Sequence, residues 1–194
     1  EAAENGARES GLNDKLIEGI ARYNVVQWAG KEAETIIYHH GSGEINYAAR
    51  IKRIARTGRW TDKNIFAVSV PFNSNMKDYL YAVGSLKRFA FLFASSVRLT
   101  EHLVRFLRSV GITNITCSGM SLGGWITNLH HTYYNTFTAY KPIFAGAAPE
   151  HLFTNTVYKR MLSAAVYGGN IATVLNFEND FAAKDNSNVY PCMG

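Results

Sequence analysis

The residues with the clearest chemical meaning are Gly119-Met120-Ser121-Leu122-Gly123, which fit the pattern Gly-x-Ser-x-Gly. Residues 114–118 before the pattern are β-prone or small, and a helix-compatible segment follows it. This order is typical of a sharp strand-to-helix turn that exposes one serine hydroxyl at the edge of a sheet. The glycines fit such a turn because larger side chains would collide across it. We therefore expect Ser121 to be a nucleophile that attacks a carbonyl carbon. A tight glycine-rich crossover in another doubly wound sheet is the alternative.

A serine nucleophile needs a base, and the histidines after Ser121 are His130, His131 and His151. The first two fall in the predicted helix that leaves the turn, so we expect them to point away from the hydroxyl. His151 follows Glu150 at the end of a predicted strand. Glu150 is thus a candidate catalytic acid, and the alternative is a helix N-terminal carboxylate favoured by the helix dipole.

A second motif, His39-His40-Gly41-Ser42-Gly43, directly follows a short predicted strand at residues 35–39. Glycine in such a turn allows the backbone to approach a substrate closely. We interpret His40 as a residue that shapes the loop rather than as a proton carrier. An ordinary strand-to-helix turn is the alternative reading of this motif.

Strands and helices are predicted to alternate along the middle of the chain. The predicted strands are 35–39, 64–70, 114–118 and 141–148, and the predicted helices are 45–59, 85–110 and 122–134. This alternation predicts a three-layer α/β/α domain with a mostly parallel sheet, whose functional groups cluster at the carboxyl ends of the strands. We expect residues 1–30 to be a polar tail and a helix over 12–28, and residues 31–194 to be the core. A helix over 151–167 and a further strand over 189–193 complete the prediction.

On its two motifs the chain resembles the α/β-hydrolase superfamily, over roughly residues 33–150. The resemblance implies a serine hydrolase that forms an acyl-enzyme on Ser121. It also implies an oxyanion hole built from the backbone N–H of Leu122 and from the turn at Gly41, Ser42 or Gly43. In this superfamily the acid and the histidine follow the serine along the chain.

The resemblance implies a longer sheet than the predicted elements supply. Single α/β domains routinely run to about 200–250 residues, and the strand at 189–193 would precede the loop that carries the acid. We therefore expect the core to lack its last strands. The catalytic Asp and His would come from a missing C-terminal segment or from a second chain.

The composition narrows the class of protein. A hydrophobic content of 47% with 18% charged residues predicts a soluble globular chain, and 194 residues suffice for one domain. Two cysteines do not support a disulfide framework, and the buried-looking Cys117 is interpreted as core packing. No apolar run reaches the ~18–20 residues of a membrane span, no signal peptide is visible, and the compartment stays open.

The net charge of +5 is mild for this size, so we expect no nucleic-acid partner. The arginines and Lys52 of the helix at 45–59 are interpreted as a solvated face, with Ala48, Ala49, Ile51, Ile54 and Ala55 buried. Contact with anionic lipid is the alternative.

The functional prediction is an esterase or lipase-like hydrolase of carboxylic esters, with a small-molecule or lipid ester as substrate. No metal site or organic cofactor is expected. An aromatic share of 13% slightly favours an apolar acyl group, although the same residues can simply fill the core. A non-catalytic scaffold of the same fold, and an acyltransferase or thioesterase using the same serine, are the alternatives.

Overall fold

The computed structural model describes residues 22–58, 60–156, 159–160 and 171–192. The strands are β1 (Arg22–Gln27), β2 (Thr35–His39), β3 (Asn64–Ser69), β4 (Ile115–Met120) and β5 (Ala139–Ile143). The helices are α1 (Tyr47–Thr57), α2 (Met76–Val83), α3 (Leu86–Ser109), α4 (Leu122–Tyr133), α5 (Glu150–Asn155), α6 (Ile171–Leu175) and α7 (Glu178–Ala182).

The strands form one sheet in the order β1-β3-β2-β4-β5. β1 is antiparallel to β3, and the other neighbouring pairs are parallel. Residues 189–192 extend the sheet beside β5, because Val189 bridges Tyr140 and Cys192 bridges Ile143 in parallel. The predicted mostly parallel sheet is confirmed, and β4 with its serine turn lies in its middle.

The helices cover both faces of the sheet because successive strand residues point to opposite sides. In β3, Ile65 and Ala67 pack with Ile51 and Ala55 of α1. Phe66 and Val68 belong to a second cluster, on the other face, that includes three residues of α3, Leu103, Val104 and Leu107. This arrangement gives the three layers that the alternation predicts.

Local signals place most helix ends where the sequence predicts them. The 24-residue α3 begins after Ser85 and ends at Ser109, and Gly111 follows with φ of +94°. Such a left-handed glycine after a helix is a common stop signal. α1 ends at Thr57 before Gly58, which keeps a right-handed φ of −75°.

Several elements differ from the prediction. β1 replaces the second half of the helix predicted over 12–28, because residues 22–27 pair with β3; residues 12–21 lie outside the described part. The helix α2 was not predicted, and it begins where the Asn75 side chain accepts the Asp78 N–H at 3.0 Å. The strand predicted over 141–148 is observed as β5, which starts two residues earlier and ends at Ile143, since the chain turns at Phe144 with φ of 52°.

Two helix predictions also need correction. In α1 the buried residues are Tyr47, Ile51 and Ala55, whereas Ile54 is 43% exposed and Ala49 is exposed. The helix predicted over 151–167 is observed as the six-residue α5, and residues 157–158 and 161–167 lie outside the described part.

Candidate functional site

Ser121 links the end of β4 to the start of α4 in a conformation that L-residues rarely adopt, with φ of 55° and ψ of −114°. Its N–H donates to the Ile143 carbonyl at 2.9 Å, and its carbonyl accepts the Trp125 N–H at 3.0 Å. A backbone of this kind costs about 1–3 kcal/mol and persists only where its surroundings fix it. The turn is therefore held in a strained geometry by β5 on one side and by α4 on the other.

The glycines of the motif allow three backbone segments to come together. A Cβ at Gly119 would lie 2.3 Å from the Gly123 carbonyl oxygen. A Cβ at Gly123 would lie 2.2 Å from the carbonyl oxygen of His39, in β2. These distances confirm that larger side chains at the two glycines would collide across the turn. Gly123 also sets how closely α4 approaches the sheet.

Replacing Gly123 with alanine is expected to lower the free energy of unfolding by about 3 kcal/mol, because the new methyl group meets backbone atoms that cannot rotate away. Urea unfolding of the variant would measure this. Gly146→Ala is the matched control, since a Cβ there meets nothing within 4 Å. Equal unfolding midpoints for the two variants would contradict the steric assignment.

Ser121 lies in a cleft of about 380 Å³. Its described lining residues are Gly41, Ser42, Glu44, Arg50, Tyr79, Met120, Ser121, Leu152 and Phe153. Ser121 is half-buried, and its hydroxyl makes no hydrogen bond to any residue in the described part of the chain. The hydroxyl is thus free to meet a bound carbonyl group.

The turn after β2 borders the same cleft. The Glu44 N–H donates to the Gly41 carbonyl at 3.3 Å, and Gly43 has φ of +63°, which favours glycine. The Gly41 N–H donates to the Glu44 carboxylate at 3.1 Å. The Ser42 and Gly43 amides have no acceptor among the described residues, so they are the donors that this turn leaves available.

The first turn of α4 offers further backbone donors. Leu122 opens the helix, and the first N–H groups of a helix have no carbonyl four residues earlier to bond. The Leu122 amide directly follows the serine. Its role as an oxyanion donor stays a prediction.

His40 holds the turn in place. Its Nε2 accepts the Val70 N–H at 3.0 Å, so its Nδ1 carries the proton and donates to the Gly41 carbonyl at 2.8 Å. Burial lowers the pKa of His40 to about 4. A neutral ring with both nitrogens occupied shapes the loop, as the sequence predicts.

The other histidines lie away from the cleft. His39 and His130 are fully buried; His39 contacts the Thr100 hydroxyl at 2.9 Å, and His130 lies 3.2 Å from Glu101. Burial lowers the pKa of His39 to about 3 and that of His130 to about 4. His131 contacts the Asp185 carbonyl at 3.1 Å. The prediction that His130 and His131 do not serve Ser121 agrees with these contacts.

Glu150 is 3% exposed at the start of α5, and its Oε1 accepts the Asn176 amide at 2.5 Å. Its neighbour His151 is exposed, and the two side chains are 3.9 Å apart. Leu152 and Phe153 from the same helix line the cleft, but Glu150 and His151 are not among its lining residues. A catalytic role for Glu150 stays a prediction.

The structure brings two charged residues to Ser121 that the sequence does not single out. Arg50 belongs to the helix face that is predicted to be solvated, yet it lines the cleft together with Glu44. The only sequence signal is that both closely follow the Gly41–Gly43 turn. Glu44 and Arg50 pair only in the folded chain, and no sequence pattern predicts that pair.

The described residues contain no group of three or more His, Cys, Asp or Glu side chains that could hold a metal ion. No helix in this part of the chain combines the length and the apolar character that crossing a membrane requires.

Comparison with solved structures gives matches at low sequence identity. The acylaminoacyl peptidase of Pyrococcus horikoshii matches with a TM-score of 0.60 and 14% identity, over 88% of this chain and 29% of that one. A puromycin-hydrolyzing peptidase of Mycobacterium tuberculosis matches with a TM-score of 0.52 and 15% identity, over 84% and 25%. FphF, a fluorophosphonate-binding serine hydrolase of Staphylococcus aureus, gives 0.52 and 12%, over 86% and 65%.

No family model matches the chain, and no curated protein matches it. The chain spans between 25% and 65% of the length of the three structures. The matches agree with the mostly parallel sheet and with the helices on its two faces. The chain therefore has the α/β-hydrolase fold.

Proposed function

We propose that this protein is a serine hydrolase that cleaves carboxylic esters through an acyl-enzyme on Ser121. The observation that carries the proposal is the strained backbone of Ser121, with φ of 55°, which presents to a cleft a hydroxyl without a hydrogen-bond partner among the described residues. Such strain at a turn is typical of a functional residue. The fold supports a hydrolase in general, and the ester class is our narrower choice.

In the proposed reaction the Ser121 oxygen attacks the ester carbonyl carbon and gives up its proton to a base. Negative charge develops on the carbonyl oxygen, where fixed N–H donors are most effective. We assign this role to the Leu122 amide and to the Ser42 or Gly43 amide. The alcohol then leaves with a proton, and water releases the acid from Ser121.

We further propose that a segment or chain beyond these residues supplies the histidine and its acid. None of the six histidines lines the cleft. Residues 189–192 run parallel to β5, and Cys192 bridges Ile143 at the sheet edge where Ser121 lies. Histidine and carboxylate groups there would complete a triad.

The lack of a histidine in the cleft also fits a second candidate, a non-catalytic scaffold with this fold. An acyltransferase or thioesterase would use the same serine and differ only in the acyl acceptor or the leaving group. The scaffold differs sharply, because it predicts that Ser121 does not react.

Labelling with a fluorophosphonate probe tests the proposal on the full-length protein that carries this sequence. We expect the wild type and Ser74→Ala, a change in an exposed loop, to be labelled, and Ser121→Ala to be unlabelled. Labelling that persists in Ser121→Ala would assign the nucleophile elsewhere. Labelling of none of the three proteins would favour the scaffold.

A further inference from the structure

Glu44 and Arg50 are the two charged side chains among the described residues that line the Ser121 cleft. Their side chains are 19% and 33% exposed, so both are largely withdrawn from solvent. A charged side chain in the cleft attracts or repels the polar groups of a ligand that binds there.

The guanidinium of Arg50 is fixed on two sides. Its Nη2 donates to the Glu44 carboxylate at 2.7 Å and to the Tyr38 hydroxyl at 2.8 Å. Its Nε forms an ion pair with the other oxygen of Glu44. Glu44 in turn accepts the Gly41 N–H of the turn. A planar group held this way loses little further freedom when a ligand binds.

The third side of the guanidinium, Nη1, has no strong acceptor. Its one described partner is the thioether sulfur of Met120, at 3.5 Å, and a thioether is a weak acceptor. Nη1 carries two N–H groups. Arg50, Met120 and Ser121 line the same cleft, so these donors share a cavity with the nucleophile, and their hydrogen-bonding capacity is largely unused among the described residues.

We propose that Arg50 determines substrate specificity by donating from Nη1 to a second carbonyl oxygen of the substrate. This inference rests on the proposed function. The substrate class is an ester that carries an amide carbonyl a few bonds from the scissile carbonyl. Because Glu44 balances the charge of Arg50, a neutral acceptor fits the pair better than a carboxylate, which Glu44 would repel.

The test compares two activated esters of the same shape on the full-length protein. The 4-nitrophenyl ester of N-acetylglycine has the second carbonyl, and 4-nitrophenyl 4-methylpentanoate has a methyl group in place of that carbonyl oxygen and a CH₂ in place of the amide N–H. Arg50→Lys keeps a positive charge opposite Glu44 and removes the guanidinium with its two Nη1 N–H donors. In this variant we expect the kcat/KM of the N-acetylglycine ester, divided by that of the 4-methylpentanoate ester, to fall about tenfold.

Arg53→Lys is the matched control, because Arg53 is exposed on the same helix and does not line the cleft. Glu44→Gln provides a second variant: it keeps an acceptor for Gly41 and removes the opposing charge. Glutarate, a dicarboxylate, should then inhibit this variant about tenfold more strongly than the wild type, because the Glu44 charge that repels a carboxylate is gone.

The outcomes separate the inference from the function on which it rests. A ratio that is unchanged in Arg50→Lys, with Ser121 still labelled by the fluorophosphonate, overturns the role of Arg50 and leaves the hydrolase. Glutarate inhibition that is no stronger in Glu44→Gln than in the wild type overturns the charge argument. Absence of both labelling and hydrolysis in the wild type removes the proposed function and this inference with it.

Discussion

Replacing Ser121 with glycine is expected to abolish hydrolysis and fluorophosphonate labelling while raising the thermal midpoint of the protein. Loss of the nucleophile should reduce kcat by about 10³–10⁶-fold. Glycine adopts positive φ readily, so the backbone strain at φ of 55° is relieved. After the entropy cost of glycine in the unfolded chain, a gain of about 1 kcal/mol remains, which corresponds to ~2–4 °C.

Ser121→Ala is the matched comparison, because alanine removes the same hydroxyl and keeps the strain. The hydroxyl has no described hydrogen-bond partner, so its loss alone should change stability little. Differential scanning calorimetry of the two variants measures the difference. If Ser121→Gly melts no higher than Ser121→Ala, the conformation of this residue stores no strain, and the main support for the nucleophile assignment is lost.

Acidification is expected to destabilise the fold well before its carboxylates titrate. His39, His40 and His130 have pKa values of about 3, 4 and 4 in the folded protein, because burial disfavours their charged forms, against 6.5 for a free histidine. As the pH falls below 6.5, the unfolded chain therefore binds protons that the folded chain does not. The three neutral histidines contribute their full stability above pH 6.5, and this contribution is lost as the pH falls toward 4.

Each of these histidines should remove about 1.4 kcal/mol per pH unit in that window. Between pH 6.5 and about pH 5, that is roughly 2 kcal/mol for each. For His130 the Glu101 carboxylate opposes the effect of burial without cancelling it. Urea unfolding at pH 7 and about pH 5 measures the loss.

His39→Gln should reduce that loss by about 2 kcal/mol, whatever its effect at pH 7. His102→Gln, a change at an exposed position of α3, serves as the control and should leave the loss as it is in the wild type. A free energy of unfolding that stays level from pH 7 to about pH 5 in the wild type would show that these rings take up protons in the folded state.

The serine turn could be predicted from sequence because its constraint is local. Gly119 and Gly123 lie on either side of Ser121, and the same steric conflict that excludes side chains from them also defines the motif. The three middle strands and the long α3 were also predictable, since apolar periodicity and a terminal glycine act within one segment.

The remaining features depend on contacts between distant segments. β1 is an edge strand with mostly exposed residues, and pairing with β3 decides its conformation more than its own apolar pattern does. Arg50 sits in a helix whose charges otherwise face solvent, so only the folded turn shows that Glu44 draws it into the cleft. Gly41 likewise matches the motif for an oxyanion donor, whereas its amide is already bonded to Glu44.

The register of the sheet makes Cys192 a natural position for a spectroscopic reporter. Met120 pairs with Ile143, and Ile143 bridges Cys192, so this cysteine lies two strand spacings, about 10 Å, from the residue before the nucleophile. Cys192 is exposed, whereas Cys117 is buried and burial raises its pKa to about 12. Of the two cysteines in this sequence, a thiol-reactive dye would therefore attach at Cys192, and its fluorescence would respond to acylation of the neighbouring cleft.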